Sequence, residues 1–190
     1  MTPSHTAHAL KLIDSELGAV TETLATERAD EIAELAAVLR DARRVFVLGL
    51  GRSGLALQMT GMRLMHVGLT VHIVGDATTP AIEGGDVLLV ASGSGTTGGI
   101  VRAAENAVKA GAHVVSITAN PASPLATASV ATVIVPAAGK LDRSGAKSAQ
   151  YAGSLFEQSV VVVGDAVFHT LWLASGATAD DLWPRHANLE

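Results

Sequence analysis

The 190-residue sequence contains no cysteine and few charged or aromatic residues. Without cysteine there are no disulfides, no thiolate nucleophile and no cysteine-based zinc or iron–sulfur site. Charged residues make up 16% of the chain and the net charge is -5, whereas nucleic-acid binding needs clustered Lys and Arg. We therefore expect no nucleic-acid partner. Only 3% of residues are aromatic, and the abundant small residues are typical of closely packed helices, including helices that contact other subunits.

The sequence also lacks an apolar segment long enough for a membrane. Residues 1–12 carry no apolar core of a signal peptide, which favours a cytoplasmic location. The longest apolar stretch, 159–174, includes four consecutive valines but also Asp165 and His169. It falls short of the roughly 20 residues that span a bilayer. We expect no membrane partner and interpret this stretch as part of a buried helix.

The remaining pattern alternates short β-branched runs with longer helical stretches, which is typical of an α/β protein. We predict one domain over residues 1–190, with N-terminal helices in 6–41, an α/β core in 44–176 and a C-terminal tail in 177–190. The predicted strands are 44–49, 70–75, 86–91, 113–118 and 131–135. The predicted helices are 6–24, 28–41, 53–67, 96–110 and a long buried C-terminal helix at about 149–175. Helical crossovers between strands indicate a doubly wound, five-stranded parallel sheet.

The first predicted strand ends in a glycine-rich loop. Residues 49–54 read GLGRSG, which fits the G-x-G-x-x-G pattern between a strand and a helix. A dinucleotide site would also need an acidic residue about 20 positions later, and Asp76 lies 22 residues beyond Gly54. This loop alone leaves dinucleotide binding open.

The third predicted strand ends in a second loop, Ser92-Gly-Ser-Gly-Thr-Thr97. Glycines allow close backbone approach, hydroxyls donate hydrogen bonds and helix N-termini favour anions. A helix cap would need only one of these hydroxyls. One pyrophosphate does not need two such loops, so the pair favours a phosphomonoester such as a sugar phosphate.

Several short motifs in order along the chain carry a family resemblance. They are GRSG at 51–54, MRLMHVG at 62–68, TPAI at 79–82, SGSG at 92–95, GSLFEQ at 153–158 and HANLE at 186–190. Together they resemble the SIS domain of sugar isomerases, and within it the 6-phospho-3-hexuloisomerase family. The resemblance implies a flavodoxin-like fold, no cofactor, and a homotetramer with active sites at subunit interfaces. It also implies isomerisation of 3-hexulose 6-phosphate to fructose 6-phosphate in the ribulose monophosphate pathway of formaldehyde fixation or detoxification. The pathway neighbour would be a hexulose-phosphate synthase.

This chemistry points to particular side chains. Isomerisation through a 2,3-enediol needs an acid/base, and Glu157 is the only acidic residue between Tyr151 and Gly164. An exposed or salt-bridged helix residue is the alternative for Glu157. Arg52 and Lys147 are candidate positive charges beside the phosphate and the enediolate. The predicted substrate and phosphate contacts are Gly51, Arg52, Ser53, Ser92, Ser94, Thr97 and Lys147.

His66 is the second catalytic candidate, because its ordinary pKa lies near physiological pH. It lies about 13 residues along the helix that follows the first loop, roughly 20 Å from it. We therefore expect His66 to act in a neighbouring subunit's site, or else to be a helix-capping or core histidine. Two further functions stay open: an isomerase of another phosphosugar such as arabinose 5-phosphate, and a non-catalytic sugar-phosphate-binding module.

Overall fold

The computed structural model describes residues 2–140, 142 and 144–189. The strands are β1 (Val45–Gly49), β2 (Val71–Ile73), β3 (Val87–Ala91), β4 (His113–Thr118) and β5 (Ala131–Ile134). The helices are α1 (Pro3–Glu27), α2 (Ala29–Arg40), α3 (Gly51–His66), α4 (Gly98–Lys109), α5 (Pro124–Ala128), α6 (Ser154–Ser175) and α7 (Ala179–Leu182), followed by a 3-10 turn, Trp183–Arg185.

The five strands form one parallel sheet in the order β2-β1-β3-β4-β5. Val45 pairs with Val71 on one side and with Val87 on the other, so β1 lies between β2 and β3. β-Branched residues fill these strands and helices cross over between several of them, as parallel pairing requires. The predicted α/β class and the five-stranded parallel sheet are confirmed.

Helices cover both faces of the sheet. On one face α1, α2, α3 and α6 contribute to the larger apolar cluster, which includes Leu35, Leu57 and Val160. On the other face α4 and α5 contribute Ile100 and Leu125 to a smaller cluster. These two layers leave the carboxyl ends of the strands open, which is where doubly wound proteins hold ligands.

The long helix α6 begins later and is less enclosed than the sequence predicted. It starts at Ser154 rather than near 149, because Ala152 (φ 46°) and Gly153 (φ 83°) have a left-handed backbone that cannot continue a right-handed helix. Its buried residues form one face: Leu155, Phe156, Ser159, Val160, Val163, Gly164, Val167 and Leu171. Asp165 and His169 are exposed. In the single chain, α6 is therefore buried along one face.

The predicted C-terminal tail contains helical structure. Thr178 and Asp181 form a reciprocal capping box that starts α7. In the part of the chain that the structure describes, no single helix is long and apolar enough to cross a membrane. Only when α6 is taken together with the segment Ala179–Arg185 is the stretch long and apolar enough, and the two parts are bent by 109° relative to each other.

A buried carboxylate, Asp86, holds together the end of the sheet opposite the strands' carboxyl ends. Arg44 donates to it at 2.6 and 3.0 Å and Arg43 at 3.1 and 3.3 Å, while the backbone N–H of Glu83 donates at 2.9 Å. Burial raises the pKa of Asp86, but these donors outweigh that effect and lower it from 3.8 to about 2. The ionised form is therefore favoured by folding.

We expect Asp86→Asn to lower the free energy of unfolding by about 2–4 kcal/mol at pH 7, because it removes a charge on which two arginines converge. The folded pKa lies below the unfolded one, so this stabilisation is complete above about pH 5 and is lost as the pH falls from 4 towards 2. Urea unfolding at pH 7 and pH 3 should show the gap to wild type narrowing. Asp76→Asn, at an exposed carboxylate, is the control. A gap that does not depend on pH would contradict the assignment.

Candidate active site

A cavity of about 240 Å³ lies beyond the carboxyl ends of β1 and β3. These adjacent strands form the switch point of the sheet, since the helix that follows β1 packs on one face and the helix that follows β3 on the other. Its lining residues come from the two loops, from the start of α6 and from the segment before it: Leu50, Gly51, Arg52, Ser53, Ala91, Ser92, Gly93, Ser94, Thr97, Ile100, Ala138, Lys140, Ala152, Gly153, Phe156 and Glu157.

The first loop brings α3 into direct contact with β1. A Cβ atom on Gly54 would lie 2.4 Å from the carbonyl oxygen of Gly49, so neither position tolerates a larger residue without a backbone shift. Gly51 begins α3 with φ 58°. These glycines place Arg52 and Ser53 in the first turn of α3, directly at the cavity.

The second loop presents hydroxyls at the start of α4. Thr97 is the N-cap residue, yet within the described residues its side chain makes no capping hydrogen bond. Its Oγ1 lies 3.5 Å from Oγ of the buried Ser92. Gly95 has φ 62°, and a Cβ there would lie 2.1 Å from Oγ of Ser123. The backbone conformation of the loop therefore requires glycine at position 95. The hydroxyls of Ser92 and Thr97 are not used to cap α4 and are available to a ligand.

The first turn of α6 brings Glu157 to the same cavity. Nε of Arg52 donates a hydrogen bond to Oε2 of Glu157. Arg52 is mostly exposed and Glu157 is largely buried. Phe156 packs against Gly93 of the second loop, where a Cβ would lie 3.3 Å from its ring. A carboxylate, a guanidinium and several hydroxyls therefore face one cavity, the combination that proton transfer on a sugar phosphate requires.

The lysine at the cavity differs from the one that the sequence suggested. Lys147 is exposed and is not among the described residues that line the cavity, whereas Lys140 is. The sequence reasoning missed Lys140. Lys140 lies six residues beyond the end of β5, and its place in the segment that leaves the carboxyl end of that strand was the available signal.

His66 lies at the opposite end of α3 from the cavity. It is 4% exposed, and its ring stacks on that of His186 with 4.0 Å between ring centroids. Burial lowers the pKa of His66, and the charges of His186 and Arg63 lower it further. Among the described residues no group hydrogen-bonds with its Nδ1 atom. With Trp183 and other residues, His66 and His186 line a second cavity of about 470 Å³. His66 therefore does not reach the cavity of its own chain.

Asp76, the residue that kept a dinucleotide site open, is exposed in the turn after β2. It is not among the described residues that line the first cavity. The described lining of this cavity thus combines the starts of α3 and α4 with one acidic side chain, that of Glu157.

Comparison with known proteins agrees with this geometry. Residues 38–161 match the SIS domain family. The chain is 57% identical over 171 residues to a 3-hexulose-6-phosphate isomerase of Mycobacterium gastri, covering 90% of this chain and 86% of that protein. This chain belongs to the SIS-domain family of phosphosugar isomerases.

The SIS assignment confirms the resemblance seen in the sequence motifs, and other relatives agree with it. The chain is 34% identical to a 3-hexulose-6-phosphate isomerase of Bacillus subtilis (strain 168), covering 88% of this chain and 89% of that one. A solved structure of an Escherichia coli CFT073 protein in complex with a ligand superposes with a TM-score of 0.81 and 25% identity, covering 98% of this chain and 100% of that one. The fold is therefore shared along almost the whole length.

Proposed function

We propose that this SIS-domain chain is an enzyme that isomerises 3-hexulose 6-phosphate to fructose 6-phosphate. The observation that carries the proposal is a cavity lined by hydroxyls at two helix starts and by a carboxylate, in a chain 57% identical to the Mycobacterium gastri 3-hexulose-6-phosphate isomerase. The reaction moves a carbonyl from C3 to C2. It needs proton transfer and charge stabilisation, and both kinds of group face this cavity.

The phosphate would bind at the helix starts. Ser53 lies in the first turn of α3, while Ser92, Ser94 and Thr97 precede α4. The N-termini of both helices point their backbone N–H groups towards the cavity and favour a dianion. The hydroxyls add donors that a phosphomonoester accepts with all three of its terminal oxygens. The sugar carbons would then lie towards Glu157.

Glu157 would act as the acid/base. Its carboxylate removes the proton from C2, the C3 carbonyl becomes an enolate, and a 2,3-enediolate forms. The C2 hydroxyl proton then moves to the oxygen on C3, and protonated Glu157 returns its proton to C3, which leaves a hydroxyl on C3 and the carbonyl on C2. Arg52 orients the carboxylate of Glu157 through their hydrogen bond and supplies positive charge beside the enediolate. Lys140 offers a second cation at this cavity, where the sequence had suggested Lys147.

Assembly would complete the site. α3 presents an exposed apolar stripe, formed by Leu55, Met59, Met62 and Met65. Contiguous exposed apolar surface of this kind supports a homo-oligomer. We propose a homotetramer in the cytoplasm in which His66 enters the site of a neighbouring subunit. The chain would act in the ribulose monophosphate pathway, after a hexulose-phosphate synthase.

The proposal is tested by assaying purified protein for fructose 6-phosphate formed from 3-hexulose 6-phosphate, beside arabinose 5-phosphate as substrate. Turnover of the hexulose alone supports the proposal. Preferential turnover of arabinose 5-phosphate would indicate a different phosphosugar isomerase, and binding of both without turnover would indicate a sensing module.

Mixing two inactive variants tests the shared site. Suppose that Glu157 and His66 of one site come from different subunits. In a random mixture of co-expressed Glu157→Gln and His66→Asn chains, about a quarter of the sites then contain both intact residues, so the mixture should recover about a quarter of the wild-type activity. Glu157→Gln mixed with Ser92→Ala is the control. Both residues line the cavity of one chain, so this mixture should show no more activity than its Ser92→Ala chains have alone. Equal absence of recovery in both mixtures would contradict a role for His66 in a neighbour.

A further inference from the structure

Glu16, on the first helix, makes a cluster of hydrogen bonds to a distant part of the chain. Its carboxylate accepts from Oγ of Ser148 at 2.7 Å, from the backbone N–H of Ala149 at 2.7 Å and from Nε2 of Gln150 at 3.1 Å. Burial raises the pKa of Glu16, but these donors outweigh it and lower the pKa below its usual value. Such charge-assisted hydrogen bonds are the stronger kind, so they hold residues 148–150 against α1.

Residues 148–150 lead directly to the cavity wall. Gln150 accepts a hydrogen bond at 2.9 Å from Nε2 of Gln158, the residue after Glu157. Two residues beyond Gln150, Ala152 and Gly153 line the cavity. The contacts of Glu16 are therefore linked both to the wall of the candidate active site and to α6, the helix that carries Glu157.

The backbone of this wall needs external support. Ala152 has φ 46°, a left-handed conformation that is unfavourable for a residue with a side chain. Such conformations persist where the surrounding structure holds them, and they concentrate at functional sites. Just before Ala152, Glu16 accepts hydrogen bonds from three consecutive residues. They act beside the hydrogen bonds from Ser154 to the carbonyl oxygen of Tyr151 and from Gln158 to Gln150.

We propose that Glu16 is a positioning residue for the candidate active site, holding residues 148–153 so that Ala152, Gly153 and Glu157 keep their places at the cavity. This role rests on the proposed isomerase function. It assigns part of the site to α1, which lies before residues 38–161, the region that matches the SIS domain. Glu16 is not among the described residues that line the cavity, and it would act only through the segment it holds.

The test compares Glu16→Ala, Glu16→Gln and Glu22→Ala. Glu22 is an exposed residue of the same helix, and its replacement removes the same charge. For Glu16→Ala we expect kcat to fall about tenfold or more, because small displacements of catalytic groups are costly. The affinity for fructose 6-phosphate, measured by calorimetry, should stay within about threefold, since the phosphate loops do not depend on this segment. Glu16→Gln, which keeps one acceptor oxygen, should be intermediate, and Glu22→Ala should match wild type.

A second readout needs no activity. Trypsin cleavage after Lys147, followed by mass spectrometry, should be about fivefold faster or more in Glu16→Ala than in wild type and Glu22→Ala, because the following residues are released. If wild type has no isomerase activity, the proposed function fails, while this cleavage still decides whether Glu16 holds the segment. Folded Glu16→Ala with wild-type kcat and wild-type cleavage would overturn the proposal. If Glu16→Ala does not fold, Glu16→Gln decides by the same two measurements.

Discussion

Replacing Glu157 by glutamine is expected to reduce kcat about 10²- to 10⁴-fold, the usual contribution of a positioned acid/base. The amide has nearly the same shape, and its carbonyl oxygen can still accept the hydrogen bond from Arg52. It cannot take a proton from C2. Binding of fructose 6-phosphate, measured by calorimetry, should therefore remain within a few-fold of wild type while turnover is lost.

The matched control is Glu105→Gln, at an exposed position on α4. It makes the same chemical change outside the described cavity lining and should leave kcat unchanged. Thermal unfolding of both variants shows whether either has lost its fold. Near wild-type turnover in Glu157→Gln would mean that another group transfers the proton, and the carboxylate would then be only a partner of Arg52.

Removing two hydroxyls from the second loop, in Ser92→Ala/Thr97→Ala, is expected to weaken phosphosugar binding about 100-fold or more. Each hydrogen bond to a charged group contributes about 1.5–3 kcal/mol, which is roughly 10- to 100-fold in affinity. The loss should appear in KM and in the dissociation constant of fructose 6-phosphate, with a smaller change in kcat. Stability should change little, because the Thr97 side chain makes no capping hydrogen bond within the described residues.

Thr178→Ala provides the contrast, because that threonine does cap a helix. Its side chain accepts from the backbone N–H of Asp181. This variant should lose about 1 kcal/mol of stability and no affinity. If Ser92→Ala/Thr97→Ala instead behaves as Thr178→Ala does, the second loop is a structural cap and the phosphate lies elsewhere.

Much of the fold could be predicted because its signals are local. β1 and β3 are valine- and leucine-rich runs ended by glycine or serine, and their observed bounds differ from the predicted ones by one residue. The start of α6 could not be found in this way, because the left-handed backbone of Ala152 has no sequence signature. α7 was missed although Thr178 and Asp181 have the spacing of a capping box.

The candidate site was partly predictable for a related reason. Loops after neighbouring parallel strands must meet at one edge, so the sequence could bring Arg52, Ser92 and Thr97 together. The hydrogen bond from Arg52 to Glu157 joins residues 105 positions apart. The positions of Lys140 and Glu16 relative to the cavity likewise depend on how the segment before α6 packs, which no local sequence pattern indicates.

The sequence by itself determined the α/β class, the parallel sheet, the two glycine-rich loops at the strand ends and the family, because these follow from periodicity, glycine positions and short motifs. Only the tertiary structure decided which charges share the cavity, that Lys140 rather than Lys147 lines it, and that His66 is buried against His186. The physical reason is that side-chain contacts depend on how distant segments pack. Hydroxyls and glycines at a strand end, in contrast, take their role from the local backbone.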